Sequence, residues 1–578
     1  MKAFQHVLLI IMAFICAQPA HALLNINVEI RGISGDLQDN VRLFLSIEQQ
    51  KSHDLVNEGR LRRLHKKALP EITKALQPFG YYRPVIKSEL TRQGEGQWLA
   101  DYNIDAGPAL PVAELSIITN EAFKLDPEFK AFLDNLPLRQ GDVFNHAKYE
   151  SIKNSLARLA TERGYFNARL IEHRVEVDLK AYSARVYLNY DSGTRFLFGK
   201  VQMDHDLLDA ELLSRYIPFK YREPYSLKQL INLQHALNDS DYFRRVEVSP
   251  GKIPSDSDEI PISVVLEPRK KNRYILGMGY VTDTGARGRF GWEIPRYNKS
   301  GHRINSEVKI SEIGYAVSFN YRVPILNPRT DQILYRAGVI NEKTDTSDST
   351  VKTIGSSLNH SRGKWREVIA LNYQQEEFVV ADDGGSSTLV IPGINWSRNW
   401  GRNFINTFDG LRFDIGLRGA SEDLLSDTSF LQLEGSIKAI TRLGHNKRII
   451  GRGRLGSSWT DEFNQLPTSV RFFAGGAQSV RGYAYQTLGP EDSDGDVTGG
   501  RHLMVGSLEY EHYFANKWGF ALFYDAGNAI DEFNEKLERG AGFGIRWKSP
   551  IGPVRIDFAN AISSNKGWRL HINIGPDL

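Results

Sequence analysis

The sequence is poor in cysteine and lacks the short motifs that mark common enzymes. One cysteine occurs in 578 residues, so a disulfide framework cannot stabilise the fold. No GxSxG, HExxH, CxxC or GxxxxGK[ST] pattern occurs, which removes the usual hydrolase, zinc and nucleotide-binding signatures. The 14 histidines are scattered without metal-ligand spacing. We therefore expect a protein that is not an enzyme and that holds no cofactor and no metal.

The sequence also lacks a charge excess and a long apolar run. It has 72 Lys and Arg against 69 Asp and Glu, a formal net charge of +3, whereas nucleic-acid binders usually show a strong basic excess. No apolar run reaches the roughly 18 residues that a membrane-spanning helix needs. The mean hydropathy of -0.37 is that of a soluble protein, yet it also fits a β-barrel, whose lipid-facing residues alternate with polar ones. We expect no nucleic-acid partner.

The first 22 residues are typical of a secretory signal peptide. Lys2 supplies the positive charge, residues 7–15 form a short apolar core, and Ala20-His21-Ala22 resembles a cleavage site. A lipoprotein signal at Cys16 is disfavoured, because Ile15 precedes it where such signals use a small residue. Removal of residues 1–22 would leave an exported chain without cysteine.

An aromatic tripeptide recurs three times in the first half of the chain. Each copy follows a helical pattern and precedes a strand-like run, and the spacing is roughly one small domain. The copies are Gly80-Tyr81-Tyr82, Gly164-Tyr165-Phe166 and Asp241-Tyr242-Phe243. The repeat predicts three modules, over residues 23–107, 108–190 and 191–267.

The second copy shows the order of elements most clearly. Ile152, Leu156 and Leu159 fall on one helix face, and Gly164 follows where a left-handed residue would end the helix. Its strand-like runs cover residues 114–118, 166–174 and 184–190. In the first copy Pro70 interrupts the helical pattern, which predicts a kink or two helices. Each copy is predicted to fold as an α/β module of the order β-α-α-β-β.

The aromatic pairs and the sheet edges of these modules allow different interpretations. Each pair is most simply a core contact that packs the helix on the sheet, which we favour over a binding role. A small sheet with an open edge, by contrast, accepts an extended chain through backbone hydrogen bonds without requiring a particular sequence. We expect the modules to act through such an edge.

From residue 268 to residue 578 the pattern changes to alternating apolar and polar residues. Leu431, Leu433 and Ile437 show this alternation, with polar neighbours between them. Such strands cross a bilayer only as a closed barrel, because every backbone group needs a partner. At roughly ten residues per strand and as many per connection, an antiparallel transmembrane β-barrel of about sixteen strands is predicted. A soluble β-sandwich or propeller is the alternative. Polar stretches predicted as exposed loops lie at 345–350, 382–387, 421–428 and 491–500.

A glycine-rich segment of this region contains the most specific motif. It is the tetrapeptide VRGY, formed by Val480, Arg481, Gly482 and Tyr483. Two further segments follow in order: FYDAGN at 523–528, and GFGIRWKSPIGPVRIDFA at 542–559. The ordered set resembles the outer-membrane assembly-factor superfamily that includes BamA, TamA and the two-partner-secretion transporters. The three repeats resemble its POTRA (polypeptide-transport-associated) modules, and their number matches the TamA branch.

The resemblance implies a role for the VRGY segment. In the superfamily this loop folds back into the barrel lumen and its arginine meets an aspartate of the wall, which here implies Asp525 as the partner of Arg481. Gly527, on the same segment of the wall, is implied as a further partner of the loop. A guanidinium offers a carboxylate two parallel hydrogen bonds, which a lysine cannot. Breaking a fully buried pair costs roughly 3–5 kcal/mol. In a hydrated lumen we expect a smaller cost, towards about 1 kcal/mol.

The resemblance also implies a weak seam between the first and last barrel strands. Here the first strand is predicted at about 274–281, and the segment 565–572 resembles the sorting signal of outer-membrane barrels. The residues that mark the seam are Tyr274, Gly277 and Gly279 in the first strand and Gly567, Leu570 and Ile572 in the last. Glycine weakens local pairing and packing. A seam that opens sideways would offer free backbone groups to a substrate strand.

Taken with the signal peptide, the resemblance implies an outer-membrane assembly factor with its N-terminal modules in the periplasm. The implied partners are a TamB-like protein that is anchored in the inner membrane and spans the periplasm, unfolded outer-membrane proteins such as autotransporters, and the lipid bilayer with its lipopolysaccharide. Two alternatives are open. One is a secretion channel of the two-partner type, and the other is a barrel that anchors a lipid-conducting periplasmic bridge.

Overall fold

The computed structural model describes residues 24–51, 57–203, 206–252, 256–381, 383–401, 407–514, 517–549, 552–564 and 567–574. Three small three-stranded sheets precede a sixteen-stranded sheet. By packing, the chain divides into two compact units, and the division runs through the third module. The predicted signal peptide, including Cys16, lies outside the described residues.

Each of the three modules places its last strand between the other two. The first contains β1 (Asn25–Arg31), α1 (Asp36–Phe44), α2 (Ser46–Gln50), α3 (Glu58–Leu76), β2 (Val85–Gly94) and β3 (Gln97–Asp105). The second contains β4 (Val112–Thr119), α4 (Glu121–Leu125), α5 (Pro127–Asp134), α6 (His146–Arg163), β5 (Arg169–Asp178) and β6 (Ser183–Asp191). The third contains β7 (Leu197–Met203), α7 (Ala210–Ser214), α8 (Leu227–Asn238), β8 (Phe243–Pro250) and β9 (Glu259–Pro268). The α/β module prediction is confirmed, with an additional helix in the first two copies.

Two details of the modules differ from the sequence predictions. Pro70 lies inside α3, which runs as one helix, so the alternative of two separate helices is wrong. Proline removes one backbone hydrogen bond, but the buried apolar face of α3, which includes Leu64 and Ile72, holds the helix together across that position. The strands also overlap the predicted boundaries, because Asp191 belongs to β6 and Pro268 to β9.

The turn after α6 shows how the repeated tripeptide works. Gly164 takes a left-handed conformation, with φ of 86°, and its amide donates to the last turn of the helix. Tyr165 is buried, with its ring centroid 5.7 Å from that of Phe123 and 5.8 Å from that of Phe129. The carbonyl of Gly164 accepts a hydrogen bond from the amide of Phe196 at 2.9 Å. The tripeptide therefore ends a helix, fills the module core and ties it to the next segment of chain.

The second half of the chain forms sixteen consecutive antiparallel strands, as the sequence predicts. The first eight are β10 (Arg273–Val281), β11 (Gly285–Ile294), β12 (Arg303–Ser311), β13 (Gly314–Pro324), β14 (Gln332–Lys343), β15 (Ser347–Arg362), β16 (Trp365–Val380) and β17 (Asp383–Gly401). The others are β18 (Gly410–Ala420), β19 (Phe430–Arg442), β20 (Lys447–Trp459), β21 (His502–Tyr513), β22 (Trp518–Ile530), β23 (Glu538–Ser549), β24 (Gly552–Ala561) and β25 (Trp568–Ile574). They form a nearly closed barrel.

Two of the four predicted loops belong to strands. Residues 347–350 lie in β15, and residues 383–387 lie in β17, so these hairpins continue far along both strands. Backbone pairing satisfies the same groups in water as in lipid, so a ladder need not end where apolar residues end. The stretches 421–428 and 491–500 do lie in connections. A polar stretch of sequence therefore does not mark the end of a strand, because a strand can continue beyond the membrane into water.

The outer face of the barrel exposes more large apolar side chains than the surface of a soluble protein usually does. Large apolar side chains alternate along the strands and point away from the lumen, among them Leu276, Met278, Ile354, Leu455 and Leu508. Stacked Trp518 and Trp547, with ring centroids 5.8 Å apart, lie where paired strands approach a turn, the level that aromatic girdles occupy. Among the described residues, no helix combines the length and apolarity needed to cross a membrane.

Replacing Gly164 with alanine should destabilise the modules. A left-handed alanine alone costs about 1–2 kcal/mol, and a β-carbon at residue 164 would also lie 2.8 Å from the Cβ of Tyr225. Gly141→Ala is the matched control, because Gly141 has φ of 90° but open space around its β-carbon position. Thermal unfolding of the purified protein, followed by far-UV circular dichroism, should show a larger loss for Gly164→Ala. Equal losses would contradict the steric part of the argument.

Candidate functional site

The connection between β20 and β21, residues 460–501, folds into the lumen and docks on its wall at several points. The amide of Ser469 donates to Glu376 of β16 at 3.1 Å, and Gln432 of β19 donates to the carbonyl of Val470 at 2.7 Å. Farther along, the hydroxyl of Tyr485 donates to Glu342 of β14 at 3.4 Å. These contacts extend over the wall from β14 to β19, and we call this connection the lumenal loop.

Arg481 is the most deeply anchored residue of the lumenal loop. Its side chain is 2% exposed and holds Asp525 of β22 with two hydrogen bonds, from Nε at 2.7 Å and from Nη2 at 2.9 Å. Its Nη1 donates to Glu509 at 2.7 Å and to Asp557 at 3.1 Å. Its guanidinium carbon lies 3.5 Å from the centroid of the Phe523 ring. The structure therefore brings Arg481 and Asp525 together, in a bidentate geometry.

The surroundings of Arg481 differ from the hydrated lumen that we expected. Asp525 is fully buried, and two further carboxylates complete the contacts of the arginine. A charge taken out of water in this way depends on its partners, because removal of one leaves the other charge uncompensated. The expected cost of breaking the pair rises accordingly, from about 1 kcal/mol to roughly 3–5 kcal/mol.

Arg481 belongs to a larger network of buried charges that the sequence motifs did not reveal. Arg546 of β23 donates to Glu509 at 2.6 Å, to Glu511 at 2.8 Å and to Asp557 at 2.6 Å. Arg448 of β20 donates to Glu511 at 2.5 Å, and Arg452 lies 3.9 Å from Asp525. The network comprises four arginines, Arg448, Arg452, Arg481 and Arg546, and four carboxylates, Glu509, Glu511, Asp525 and Asp557. Each of these arginines lies beside a carboxylate of opposite charge, which offsets the cost of burial.

A signal for this network exists in the sequence. Ser507, Glu509 and Glu511 follow one another at steps of two residues along β21, the spacing that places side chains on one face of a strand. Alternation places such residues inside the barrel but cannot say which strands face one another across the lumenal loop. The partners within the network therefore could not be predicted from the sequence.

The other residues of the VRGY motif fit closely against the last strands. Gly482 has φ of 99°, and a β-carbon there would lie 2.9 Å from the amide nitrogen of Ala561. The hydroxyl of Tyr483 donates to Glu538 at 2.5 Å, and Val480 is buried. Gly527, which we predicted as a wall partner of the loop, makes its closest approach to Met504 and Val505 of the neighbouring strand. Gly527 thus serves strand packing.

The first and last strands meet at a seam that has no ladder in the described part of the chain. Among the described residues, no backbone ladder joins β10 to β25, whereas every other pair of neighbouring strands is laddered. A hydrogen bond crosses the seam from the amide of Ile572 to the hydroxyl of Thr282 at 3.3 Å. Leu570 is exposed on the outer face of β25, and Gly567 has φ of 78° in the turn before it.

The free strand β10 has two distinct faces. Tyr274, Leu276 and Met278 point outward, and Met278 is 98% exposed. Gly277 and Gly279 alternate with them on the opposite face, where a β-carbon at residue 279 would lie 3.0 Å from Nε of Arg287 on β11. A strand with one apolar face and an unpaired edge is suited to receive another strand.

Comparison with known proteins agrees with this architecture. A model of the Omp85 superfamily domain matches residues 267–577, more than half of the chain. The chain belongs to the Omp85 superfamily. Within its modules, residues 27–106 match the family described as POTRA domain TamA domain 1, and residues 121–193 match a POTRA family described as surface antigen variable number repeat.

Two relatives and one solved structure extend the comparison. The outer membrane protein assembly factor BamA of Nitratidesulfovibrio vulgaris is 31% identical over 361 residues, which are 58% of this chain and 44% of that protein. BamA of Neorickettsia risticii is 21% identical over 536 residues, 84% of this chain and 68% of that protein. The crystal structure of BamA from Haemophilus ducreyi lacking POTRA domains 1-3 superposes with a TM-score of 0.68 at 17% identity, over 81% of this chain and 99% of that chain. The chain thus spans less than half the length of the first of these relatives.

Membership of the Omp85 superfamily also places the protein in the cell. A barrel of this superfamily preceded by POTRA domains resides in the outer membrane, with the POTRA domains in the periplasm, as the sequence predicts. The chain enters the barrel at the start of β10, so that end of the strand is periplasmic. The turn of residues 282–284, the lumenal loop and the turn before β25 then lie towards the cell exterior.

Replacing Arg481 with alanine should weaken the barrel more than replacing it with lysine. Alanine leaves Asp525 and Glu509 short of a buried counter-charge, at a cost of about 3–5 kcal/mol, whereas lysine keeps a charge but loses the bidentate geometry. The temperature at which the folded band is lost on heat-modifiable gels should fall by roughly 10 °C for Arg481→Ala and less for Arg481→Lys.

The control for this experiment is Arg454→Ala. Arg454 pairs with Glu434 at 2.7 Å, but both side chains are exposed, so its loss should cost less than about 1 kcal/mol. If Arg481→Ala and Arg454→Ala shift the transition equally, Arg481 is not an anchor.

Proposed function

We propose that this Omp85 protein assembles β-barrel proteins into the outer membrane by accepting their strands at the seam between β10 and β25. The observation that supports this proposal is the missing ladder between these strands in the described chain. Unpaired backbone groups in a bilayer cost several kcal/mol each, so an incoming strand that pairs with β10 is favoured by the groups it satisfies. The activity needs no covalent chemistry, and we propose that the protein is not an enzyme.

The periplasmic modules suit the delivery of such strands. Each three-stranded sheet has two edge strands, and exposed apolar residues line some of them, such as Val85 on β2 and Ile171 on β5. An edge of this kind pairs with an extended client through backbone hydrogen bonds. The client would thus stay extended and unaggregated until it reaches β10.

A TamA-like role is the more specific form of the proposal. Three modules precede the barrel, and the first of them matches the TamA family of POTRA domains. We propose autotransporters among the clients, and a TamB-like protein, anchored in the inner membrane, as the periplasmic partner. A secretion channel of the two-partner type is disfavoured, because the lumenal loop is tied to the wall at Glu376, Gln432 and Asp525. A barrel that only anchors a lipid-conducting bridge would need no open seam.

A photo-crosslinking residue at Met278 should capture clients. Met278 lies on the outward face of the free strand, where an incoming strand would pair, so newly made outer-membrane proteins should crosslink there in living cells. Ile437 is the matched control, because it is also apolar and exposed but lies on β19, between two laddered strands. Autotransporters among the captured proteins would support the TamA-like role. Equal capture at both positions would contradict entry through the seam.

A disulfide across the seam should stop assembly. The mature chain contains no cysteine if the predicted signal peptide is removed. Thr282→Cys with Ile572→Cys therefore introduces a single pair of cysteines where the turn after β10 meets β25. Under oxidising conditions client assembly should fall at least about tenfold and return with reductant. Val308→Cys with Val317→Cys, across a laddered strand pair, is the control. A locked protein that still works would favour the anchor for a lipid bridge.

A further inference from the structure

The lumenal loop contacts both sides of the seam. The amide of Ala477 donates to Oδ2 of Asp283 at 2.8 Å, and Asp283 lies in the turn that joins β10 to β11. The amide of Gly482, five residues later in the same loop, donates to Nε2 of His571 at 3.1 Å, and His571 lies on β25. One short segment of backbone therefore reaches from the first hairpin to the last strand.

Both joints are buried and fit closely. The side chain of His571 is 1% exposed and that of Asp283 is 10% exposed. A β-carbon at Gly476 would lie 2.9 Å from Oδ2 of Asp283, and Gly476 has φ of 97°. The loop thus has glycine at each joint, at Gly476 and at Gly482, where it comes closest to the two sides of the seam.

The two joints differ in strength. On the β25 side, Gly482 is flanked by Arg481, which the charge network holds, and by Tyr483, which donates to Glu538. On the first-hairpin side, the joint that we observe is the hydrogen bond from Ala477 to Asp283. When the seam opens, the loop should therefore stay with the last strands and release the first hairpin.

The hydrogen-bonding state of His571 adds a second link to Asp283. Because Nε2 accepts the amide of Gly482, the ring proton of the neutral imidazole lies on Nδ1. Nδ1 is 3.7 Å from Oδ1 of Asp283 and has no hydrogen-bond partner within the described part of the chain. A small approach of the hairpin to β25 would form this bond, so the two sides of the seam are within reach of each other even without a ladder.

From this geometry we infer that residues 476–482 of the lumenal loop act as a clasp that holds the seam closed, with Asp283 and His571 as its positioning residues. The clasp takes the place of the missing ladder between β10 and β25. Breaking the bond between Ala477 and Asp283 leaves the first hairpin held to β25 by the hydrogen bond between Ile572 and Thr282, which a client strand would displace. The inference deepens the proposed function and rests on it, since the seam is where a client would enter.

Removing the acceptor on Asp283 tests the clasp directly. Val281→Cys, introduced into full-length protein in lipid nanodiscs without client, reports opening, because Val281 at the end of β10 is 9% exposed in the closed seam. Adding Asp283→Ala should raise the rate of modification by a membrane-impermeant maleimide about tenfold. Asp283→Asn, which keeps a side-chain oxygen as acceptor, should stay close to the parent rate.

The matched control is Asp427→Ala. The carboxylate of Asp427 also accepts a backbone amide, that of Thr388 at 2.6 Å, but in the connection between β18 and β19, which a continuous ladder joins. Its loss should leave the modification rate unchanged. His571→Ala is the second variant, and it should raise the rate as Asp283→Ala does.

Two results would overturn the inference. The first is an Asp283→Ala protein that is modified at the parent rate while it keeps its folded band on heat-modifiable gels. The second is loss of the folded band, because the Arg481 network does not include Asp283 and should keep the barrel folded without it. Since the assay contains no client, either result leaves strand acceptance at Met278 to its own experiment.

Discussion

Backbone groups in a bilayer must pair with other backbone groups, and most of this barrel follows from that constraint. Fifteen consecutive strand pairings satisfy the ladder from β10 to β25. The remaining edge, between β25 and β10, is unpaired in the described chain and therefore carries the highest local free energy of the wall. A protein that leaves one edge in this state must close it by other contacts or fill it with another chain.

The charge network and the clasp both hold the lumenal loop in place, but the charge network does so with many more bonds. Arg481 binds the lumenal loop to the wall within a network of arginines and carboxylates on β20 to β24, where opposite charges offset the cost of burial. Single hydrogen bonds, to Asp283 and His571, carry the loop across the seam. Because fewer bonds hold the loop to the first hairpin than to the last strands, the first hairpin would move first.

The edge strands of the three modules also have unpaired backbone groups. Their three-stranded sheets leave edges exposed to water, where an unpaired strand costs little because water satisfies its backbone. The glycine turns bind neighbouring segments through backbone groups, as Gly80 does by accepting the amide of Leu110 at 2.8 Å and Gly164 by accepting that of Phe196. The aromatic residues that follow fill cores, and Tyr165 and Tyr242 are buried, in agreement with the simpler interpretation of the tripeptide.

The sequence alone determined the features that depend on local periodicity: the three modules, the left-handed glycine after α6, the number of barrel strands and the alternation of their faces. It also indicated the pair of Arg481 and Asp525, through a motif. Burial of that pair, the partners Glu509, Arg546 and Asp557, and the loop contacts to Asp283 and His571 were decided by the tertiary structure. The physical reason is that a period of two residues states which face a side chain takes, whereas partners across a lumen depend on barrel closure and loop path, which no local pattern encodes.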